Sequence, residues 1–385
     1  MSFIPYGKQH IDEADIQAVV NVLRSDKITQ GPAVKSFEEA IQSYCDSGYA
    51  IAVSNGTAAL HLAYLALDVG QGDIVWTSPN TFLATANAAV MCGASVDFVD
   101  MDPDTYNLSP IALENKLIEA SQKGCLPKVV TPVHFAGQSC DMQRIYELSL
   151  QYGFKIVEDA SHAIGGYYLN QAVGCCQYSD IATFSFHPVK IVTTGEGGAL
   201  TTNDKHLADK IACLSTHAMI RDEASMSEPK EGDWYYEMQA LGYNYRITDI
   251  QCALGVSQMQ KIDEFVQKRH QVRQYYDEHL AQLTDVTVPK QSGVSYSALH
   301  LYPIQVPQDK RKQLFGYLRQ NHIGVNVHYI PVHLQPYYKK QGFYKGYCPN
   351  AEAYYARAIS LPIYPDLTEE QLQSIITVIE QGLPL

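Results

Sequence analysis

The chain has 385 residues, 46% of them hydrophobic, and a formal net charge of -13 at pH 7. This length exceeds one ordinary domain, and the apolar content is sufficient for a large core and a smaller second unit. The acidic balance excludes a general affinity for nucleic acid or anionic membranes, whose phosphates it would repel. Nine cysteines without CxxC spacing predict reduced, mostly buried thiols. Because the N-terminal segment is polar within ten residues and no later stretch is apolar enough to span a membrane, we expect a cytoplasmic protein.

Short runs rich in Val and Ile alternate with helical patterns from about residue 50 to about residue 205. This alternation predicts a sheet covered by helices on both faces. The strand candidates are IAVS at 51–54, DIVWTSP, SVDFVDMD, KVVTPVHF at 128–135, FKIVEDA at 154–160 and DIATFSF at 180–186. The helix candidates between the first of them are GTAALHLAYLAL and TFLATANAAVMC. Each strand runs into a polar segment, which is where ligands bind in such sheets.

The second half of the chain begins with a polar, charged segment, DEASMSEPKEGD at 222–233, which predicts an exposed loop. A long helical pattern from TDIQCALG to YYDEHL then leads away from the sheet. Beyond it, strands such as HLYPIQV mix with helices such as RKQLFGYLRQ. We therefore predict an N-terminal arm with the large domain over 1–255, and a small C-terminal domain over 256–385.

Lys190 follows a predicted strand directly and precedes a glycine-rich turn, in SFHPVKIVTTGEGGAL. A lysine amine attacks an aldehyde when its surroundings lower its pKa, and a bond to pyridoxal phosphate (PLP) is a familiar use. An exposed surface lysine is the commoner interpretation of an arbitrary lysine. The neighbouring motifs favour the cofactor lysine here.

Asp159 ends the apolar strand of KIVEDASHA, so its carboxylate is expected at the carboxyl edge of the sheet. An ionised aspartate beside the ring nitrogen of PLP keeps that nitrogen protonated, as the cofactor requires to withdraw electrons. A helix N-cap explains an isolated aspartate equally well. Glu158 points to the other side of the strand and is the less suitable ring partner.

Gly56 and Thr57 stand at a strand-to-helix turn in SNGTAAL. The first turn of a helix offers unpaired N–H groups and partial positive charge, which suit a phosphate. Ser185, in the strand before the lysine, adds a hydroxyl to the same phosphate. A plain N-cap formed by Ser54 or Asn55 is the alternative interpretation of the turn.

His162 and Phe82 are candidates to cover the cofactor ring or to contact its 3-hydroxyl, although either residue type is more often part of a core. His328 and His333 are five apart without accompanying ligands, so no metal site is predicted. The chain has no GxGxxG after a first strand, no GxxxxGK[ST], no HExxH and no GxSxG. The missing glycine fingerprint counts against an NAD-dependent sugar oxidoreductase.

KIVEDASHAIG, then SFHPVK about thirty residues further on, then TTGEGGAL together resemble the DegT/DnrJ/EryC1/StrS family of sugar aminotransferases. The resemblance covers essentially the whole chain. It implies the α/β fold of type I PLP-dependent transferases, with a large domain around a mainly parallel seven-stranded sheet and a smaller C-terminal α+β domain. It also implies a homodimer whose active sites are built from both subunits.

The resemblance implies a role for each candidate residue. Lys190 matches the lysine that bonds to the cofactor and later moves protons between the cofactor and the sugar C4, and Asp159 matches the ring-nitrogen partner. His162 stands where the family has Gln or His near the ring oxygen. The other implied cofactor contacts are Gly56, Thr57, Phe82, Ser185 and, from the neighbouring subunit, Asn244. The implied contacts in the sugar-nucleotide cleft are Tyr6, His187, His328 and Tyr329.

Segments such as PNTFLATANAAV and VHYIPVHLQPYY resemble the subgroup that makes UDP-4-amino-4,6-dideoxy-N-acetyl-beta-L-altrosamine for pseudaminic acid. This implies transfer of the amino group of L-glutamate to C4 of a UDP-4-keto-6-deoxy-N-acetylhexosamine. Sugars of the bacillosamine, perosamine or aminoarabinose type stay open as substrates. Lys190 counts against the sugar dehydratases of this fold, which carry histidine there, and with Asp159 it counts against a non-catalytic sensor or scaffold.

Overall fold

The computed structural model of the protein describes residues 3–384, so the predicted domain ends at residues 1 and 385 lie outside the described part. The strands are β1 Tyr49–Val53, β2 Ile74–Thr77, β3 Ser95–Phe98, β4 Val129–Thr131, β5 Lys155–Asp159, β6 Tyr167–Tyr168, β7 Gln171–Ala172, β8 Ile181–Ser185, β9 Gly198–Thr202, β10 Met219–Ile220, β11 Glu237–Met238, β12 Ser295–Tyr296, β13 Tyr302–Gln305 and β14 Ala358–Leu361. The helices are α1 Glu13–Leu23, α2 Pro32–Cys45, α3 Gly56–Ala66, α4 Leu83–Met91, α5 Pro110–Lys123, α6 Met142–Tyr152, α7 Lys205–Leu214, α8 Asp249–Met259, α9 Ile262–Leu280, α10 Gln308–Gln320, α11 Pro336–Lys339, α12 Pro349–Arg357 and α13 Glu369–Gly382.

Seven strands form the central sheet, in the order β1-β9-β8-β5-β4-β2-β3. All neighbours from β8 to β3 are parallel, whereas β9 runs antiparallel to both β1 and β8. The register sets Asp159 of β5 opposite Thr183 of β8. The carboxyl ends of β1, β5 and β8 therefore meet at one edge of the sheet, which confirms the predicted mainly parallel, seven-stranded architecture.

Both faces of this sheet are covered by helices, which its apolar strands allow. Residues of β9 are buried throughout, as is most of helix α3, which packs beneath β8 and β9. Helix α3 is apolar all round, as expected of a helix enclosed by the large domain. Its amino end consequently faces the same edge of the sheet as the ends of β1 and β8.

The long helical pattern that precedes the C-terminal part is divided in the structure into α8 and α9. The break lies at Lys261, which has a non-helical backbone and forms ion pairs with Asp12 at 2.9 Å and Asp15 at 2.7 Å. These carboxylates belong to the first turn and N-cap of α1. A periodicity analysis cannot detect this break, because the contacts come from the other end of the chain.

Helix α9 contributes to two apolar cores. Its first half, with Ile262, Phe265 and Val266, packs among residues of the large sheet. Its second half, with Val272 and Tyr276, packs among residues 286–383 around β13, β14, α10 and α13. Ile4 joins that second core, and its backbone pairs with that of Ile323. The division after residue 255 stays a prediction, since one helix here serves both cores.

Candidate active site

A cavity of about 850 Å³ opens at the edge of the sheet where β1, β5 and β8 end. Its wall combines the turn into α3, the end of β5, the segment after β8 and residues 326–329. This volume falls in the range of ordinary small-molecule sites. The position matches the general rule that ligands bind outside the carboxyl ends of parallel strands.

Lys190 lies in the cavity wall, in a tight turn after β8, where its N–H donates to the carbonyl of His187 at 2.9 Å. Burial among protein groups lowers the pKa of Lys190 to about 8, against the opposing effect of the Asp159 carboxylate. The neutral amine is therefore far more abundant near neutral pH than it is for a free lysine. A lysine in this state can attack an aldehyde and can accept a proton.

The carboxylate of Asp159 is held at both oxygens. One oxygen accepts a hydrogen bond from the Thr85 hydroxyl at 2.6 Å, and the other accepts one from the Ser161 N–H at 3.1 Å. Asp159 is buried at the cavity wall, so its negative charge acts through a medium of low polarity. Glu158 points to the other face of the strand, where it contacts His134 at 2.6 Å and the hydroxyl of Ser179.

The turn into α3 forms one end of the cavity. Asn55 caps this helix by accepting a hydrogen bond from the Ala58 N–H at 2.8 Å, so Gly56 and Thr57 occupy its first turn. Gly56 packs tightly against the end of β8, because a Cβ there would lie 2.9 Å from the Cβ of Ser185. The backbone of the helix end and the Ser185 hydroxyl are thus brought together, as a phosphate site requires.

Aromatic side chains form another part of the wall. His162 Nε2 lies 3.1 Å from the Tyr329 hydroxyl, and the two rings are stacked at 6.1 Å. The Nδ1 atom of His162 is buried and has no protein partner. Burial, then the nearby Lys190 and His328, hold the pKa of His162 well below its usual range. Phe82 is 58% exposed and its ring lies 6.3 Å from that of Tyr329.

Every candidate residue named from the sequence lines this cavity except Asn244. Asn244 is exposed, and its backbone pairs with that of Thr216 outside the cavity. Its contact with a neighbouring subunit stays a prediction. The residues brought together are Tyr6, Gly56, Thr57, Phe82, Asp159, His162, Ser185, His187, Lys190, His328 and Tyr329.

Sequence reasoning missed several groups at the site. Thr85 orients Asp159 from helix α4, one turn after Phe82. His300, Asn326 and Tyr245 also line the cavity. Tyr245 and Asn326 stand one and two residues from the predicted Asn244 and His328, and His300 begins the strand candidate HLYPIQV, but no local pattern marks them as lining residues.

The residues present fit a PLP molecule. An amine of lowered pKa and a fixed carboxylate face the same cavity, a helix end packed against a hydroxyl closes one side, and the Nδ1 atom of His162 lacks a protein partner. Among residues 3–384 no group of three or more His, Cys, Asp or Glu side chains is arranged to hold a metal ion. The fold and the cavity together define a lysine-dependent enzyme of the type I PLP class.

The chain belongs to the DegT/DnrJ/EryC1/StrS aminotransferase family, whose model matches residues 9–380. It is therefore a PLP-dependent sugar aminotransferase. Within the described residues, no helix has the length and apolar character needed to cross a bilayer.

Named relatives and a solved structure match the chain along its length. The spore coat polysaccharide biosynthesis protein SpsC of Bacillus subtilis is 38% identical over 98% of this chain and 96% of its own. The UDP-4-amino-4,6-dideoxy-N-acetyl-beta-L-altrosamine transaminase of Campylobacter jejuni is 36% identical over 98% of this chain and 99% of its own. The structure of Helicobacter pylori PseC, an aminotransferase involved in the biosynthesis of pseudoaminic acid, superposes with a TM-score of 0.91 at 30% identity and covers 100% of both chains.

Proposed function

We propose that the protein transfers the amino group of L-glutamate to C4 of a UDP-4-keto-6-deoxy-N-acetylhexosamine. The product would be UDP-4-amino-4,6-dideoxy-N-acetyl-beta-L-altrosamine, a precursor in pseudaminic acid biosynthesis. The observation that carries this proposal is the full-length similarity to the Campylobacter transaminase and the Helicobacter structure. Another 4-keto sugar nucleotide is the second candidate substrate, because a protein of spore coat polysaccharide biosynthesis, SpsC, is also similar along the whole chain.

The chemistry of the cavity supports an amino transfer. PLP, when bound, supplies an aldehyde that captures an amino group and a ring that withdraws electrons from the reacting carbon. Asp159 would hold a proton on the ring nitrogen, because its fixed carboxylate favours a cation beside it. Lys190 would bind the cofactor and, once released, move a proton to or from C4 of the sugar.

The remaining residues would orient and enclose the reactants. Gly56, Thr57 and Ser185 would hold the cofactor phosphate at the helix end. Phe82 would stack on the cofactor ring, and His162 would face its oxygen. Tyr6, His187, His328 and Tyr329 would line the space left for the sugar nucleotide.

We propose that a homodimer completes this site. Histidines aside, Lys190 is the single basic side chain among the described residues that line the cavity, whereas the proposed substrate and the cofactor carry phosphates. A second chain would supply further donors for these phosphates, and the exposed Asn244 is the proposed partner contact. Exposed Phe82 at the cavity and exposed Leu241, three residues before Asn244, offer apolar surface for such contact. A cytoplasmic homodimer is the proposed setting.

The test combines cofactor spectroscopy with a panel of substrates. Purified protein with PLP and L-glutamate is incubated with 4-keto sugar nucleotides of different configuration, and the product stereochemistry is determined. We expect preference for the substrate that gives the altrosamine product. A preference for the gluco-configured UDP 4-keto sugar would contradict the proposed substrate and identify that sugar as the substrate instead. Retention of wild-type visible cofactor absorbance in Lys190→Ala would disprove the role of Lys190.

A further inference from the structure

His162 has a second imidazole as its neighbour. The ring centroid of His300 lies 4.3 Å from that of His162, and the planes are tilted by 44°. His300 is 4% exposed and shares the cavity wall with His162. Both Nδ1 atoms are buried and have no protein partner. A histidine that served as filler alone would leave an uncompensated polar atom where an apolar side chain would fit without this cost.

The backbone that carries His300 is fixed on both sides. The guanidinium of Arg269 donates to the carbonyl of Leu299 at 3.2 Å, and Leu299 has a left-handed φ of 52°. The N–H of Ala298 donates to the carbonyl of Gly137 at 3.0 Å. A Cβ on Gly137 would lie 3.0 Å from both the backbone nitrogen of His300 and the backbone carbonyl oxygen of His162. This glycine therefore lets the two histidine segments approach each other.

The charged and titratable groups around this pair disfavour a cation on either ring. Lys190, Arg269 and His328 face His300 in addition to His162. Lys190 and His328 also act on His162. Burial is the first cause that holds the pKa of both histidines well below the usual range. His162 therefore meets the Tyr329 hydroxyl as a neutral ring, with one N–H and one bare nitrogen.

We propose that His300 is a positioning residue that packs on the His162 ring and fixes its orientation beside the cofactor. This inference rests on the proposed placement of the cofactor next to His162. His300 acts through ring contact and through exclusion of water from the His162 ring. A fixed neutral His162 would offer the cofactor oxygen and Tyr329 one constant pattern of donor and acceptor.

The test is a pH titration of the visible absorbance of the bound cofactor. The quantity compared is the midpoint of the absorbance change on the acidic side, where His162 gains a proton. In His300→Phe, an apolar ring replaces a polar one, so protonation of His162 becomes harder and this midpoint is expected at lower pH. In His300→Ala, water enters the space and the midpoint is expected at higher pH. Each change is expected to be about half a unit to one unit, the size of typical effects of local environment on buried groups.

A double-mutant cycle shows whether the effect passes through His162. In a His162→Gln background, His300→Phe is expected to leave the titration unchanged. His279→Phe and His279→Ala are the matched controls, because His279 stacks on Tyr275 at 4.1 Å outside the cavity. Both are expected to titrate as wild type. Titration of the His162 ring resonances in cofactor-free protein gives a second measurement that requires no bound PLP.

The outcomes separate this inference from the proposed function. Midpoints displaced in opposite directions by the two His300 variants, with no effect in His162→Gln, support it. Wild-type midpoints in His300→Phe and His300→Ala, or equal effects with and without His162, overturn it. Wild-type protein that shows no visible cofactor absorbance would instead overturn the PLP assignment. If His300→Phe does not fold, His300→Ala decides alone: a midpoint at higher pH that is lost in the His162→Gln background supports the inference, and a wild-type midpoint overturns it.

Discussion

Replacement of Lys190 by methionine is predicted to stabilise the cofactor-free protein near neutral pH. Burial lowers the pKa of this amine from 10.5 to about 8. Since one pH unit corresponds to about 1.4 kcal/mol, the charged form is disfavoured in the folded chain by about 3 kcal/mol. Lys190 lines an open cavity, and its side chain is half-buried, so water screens part of this penalty. We therefore expect a gain of about 2 kcal/mol for Lys190→Met.

The sign of the pH dependence follows from proton binding. Between about pH 8 and pH 10.5 the unfolded chain retains the lysine proton and the folded chain does not, so wild-type stability rises with pH in that interval. The advantage of Lys190→Met is complete below pH 8 and shrinks toward pH 10.5. Urea unfolding of both proteins across this interval measures it. A variant that is less stable at pH 7, or a difference independent of pH, would refute the reasoning.

The control is Lys155→Met. The hydrogen bond and charge of Asp180 raise the pKa of Lys155, so its contribution is present below its unfolded pKa and is lost as pH rises through the folded one. Lys155→Met is therefore expected to give no gain at pH 7. A gain equal to that of Lys190→Met would show that the effect is a general one of replacing lysine.

Two further predictions concern cofactor affinity, measured by PLP titration of cofactor-free protein. Thr85→Val removes the 2.6 Å hydrogen bond to Asp159 and is expected to weaken binding by about tenfold or more, as for hydrogen bonds to charged groups. Thr202→Val, which loses a buried hydrogen bond to the Asp180 carbonyl at the opposite edge of the sheet, should leave affinity unchanged, and equal losses would contradict the prediction. Gly56→Ala places a Cβ 2.9 Å from that of Ser185. It is expected to weaken PLP binding about tenfold, which corresponds to a free energy near the lower end of the range for overpacking. Gly316→Ala has open space around it and serves as the control; unchanged affinity in Gly56→Ala would exclude a tight phosphate turn.

The sequence predicted the sheet because its strands are short apolar runs that end in polar segments. The fold class and the PLP assignment are confirmed by the family match and the solved structures. Strand β9 was not among the strand candidates, since its first residue, Gly198, belongs to a glycine-rich segment that reads as a turn. Its burial between β1 and β8 arises from tertiary pairing.

The candidate site was predictable where chemistry and local structure coincide along the chain. Asp159 ends a recognisable strand, Lys190 lies in the turn after another, and Gly56 opens a helix, so their positions at one edge follow from the parallel sheet. His300 could not be found in this way. It reaches the cavity because Arg269 and Gly137, from two other segments, hold its backbone there, and such contacts leave no local pattern.

Helix α9 has a mechanical consequence for the protein as a whole. Its 19 residues span about 28 Å, and its two halves are embedded in different apolar cores. Unfolding of either core would expose one half of helix α9 to solvent and would thereby destabilise the other half of the same helix. The two cores should therefore unfold in one cooperative calorimetric transition. A hinge motion between them at this helix would require helix α9 to break its own backbone hydrogen bonds.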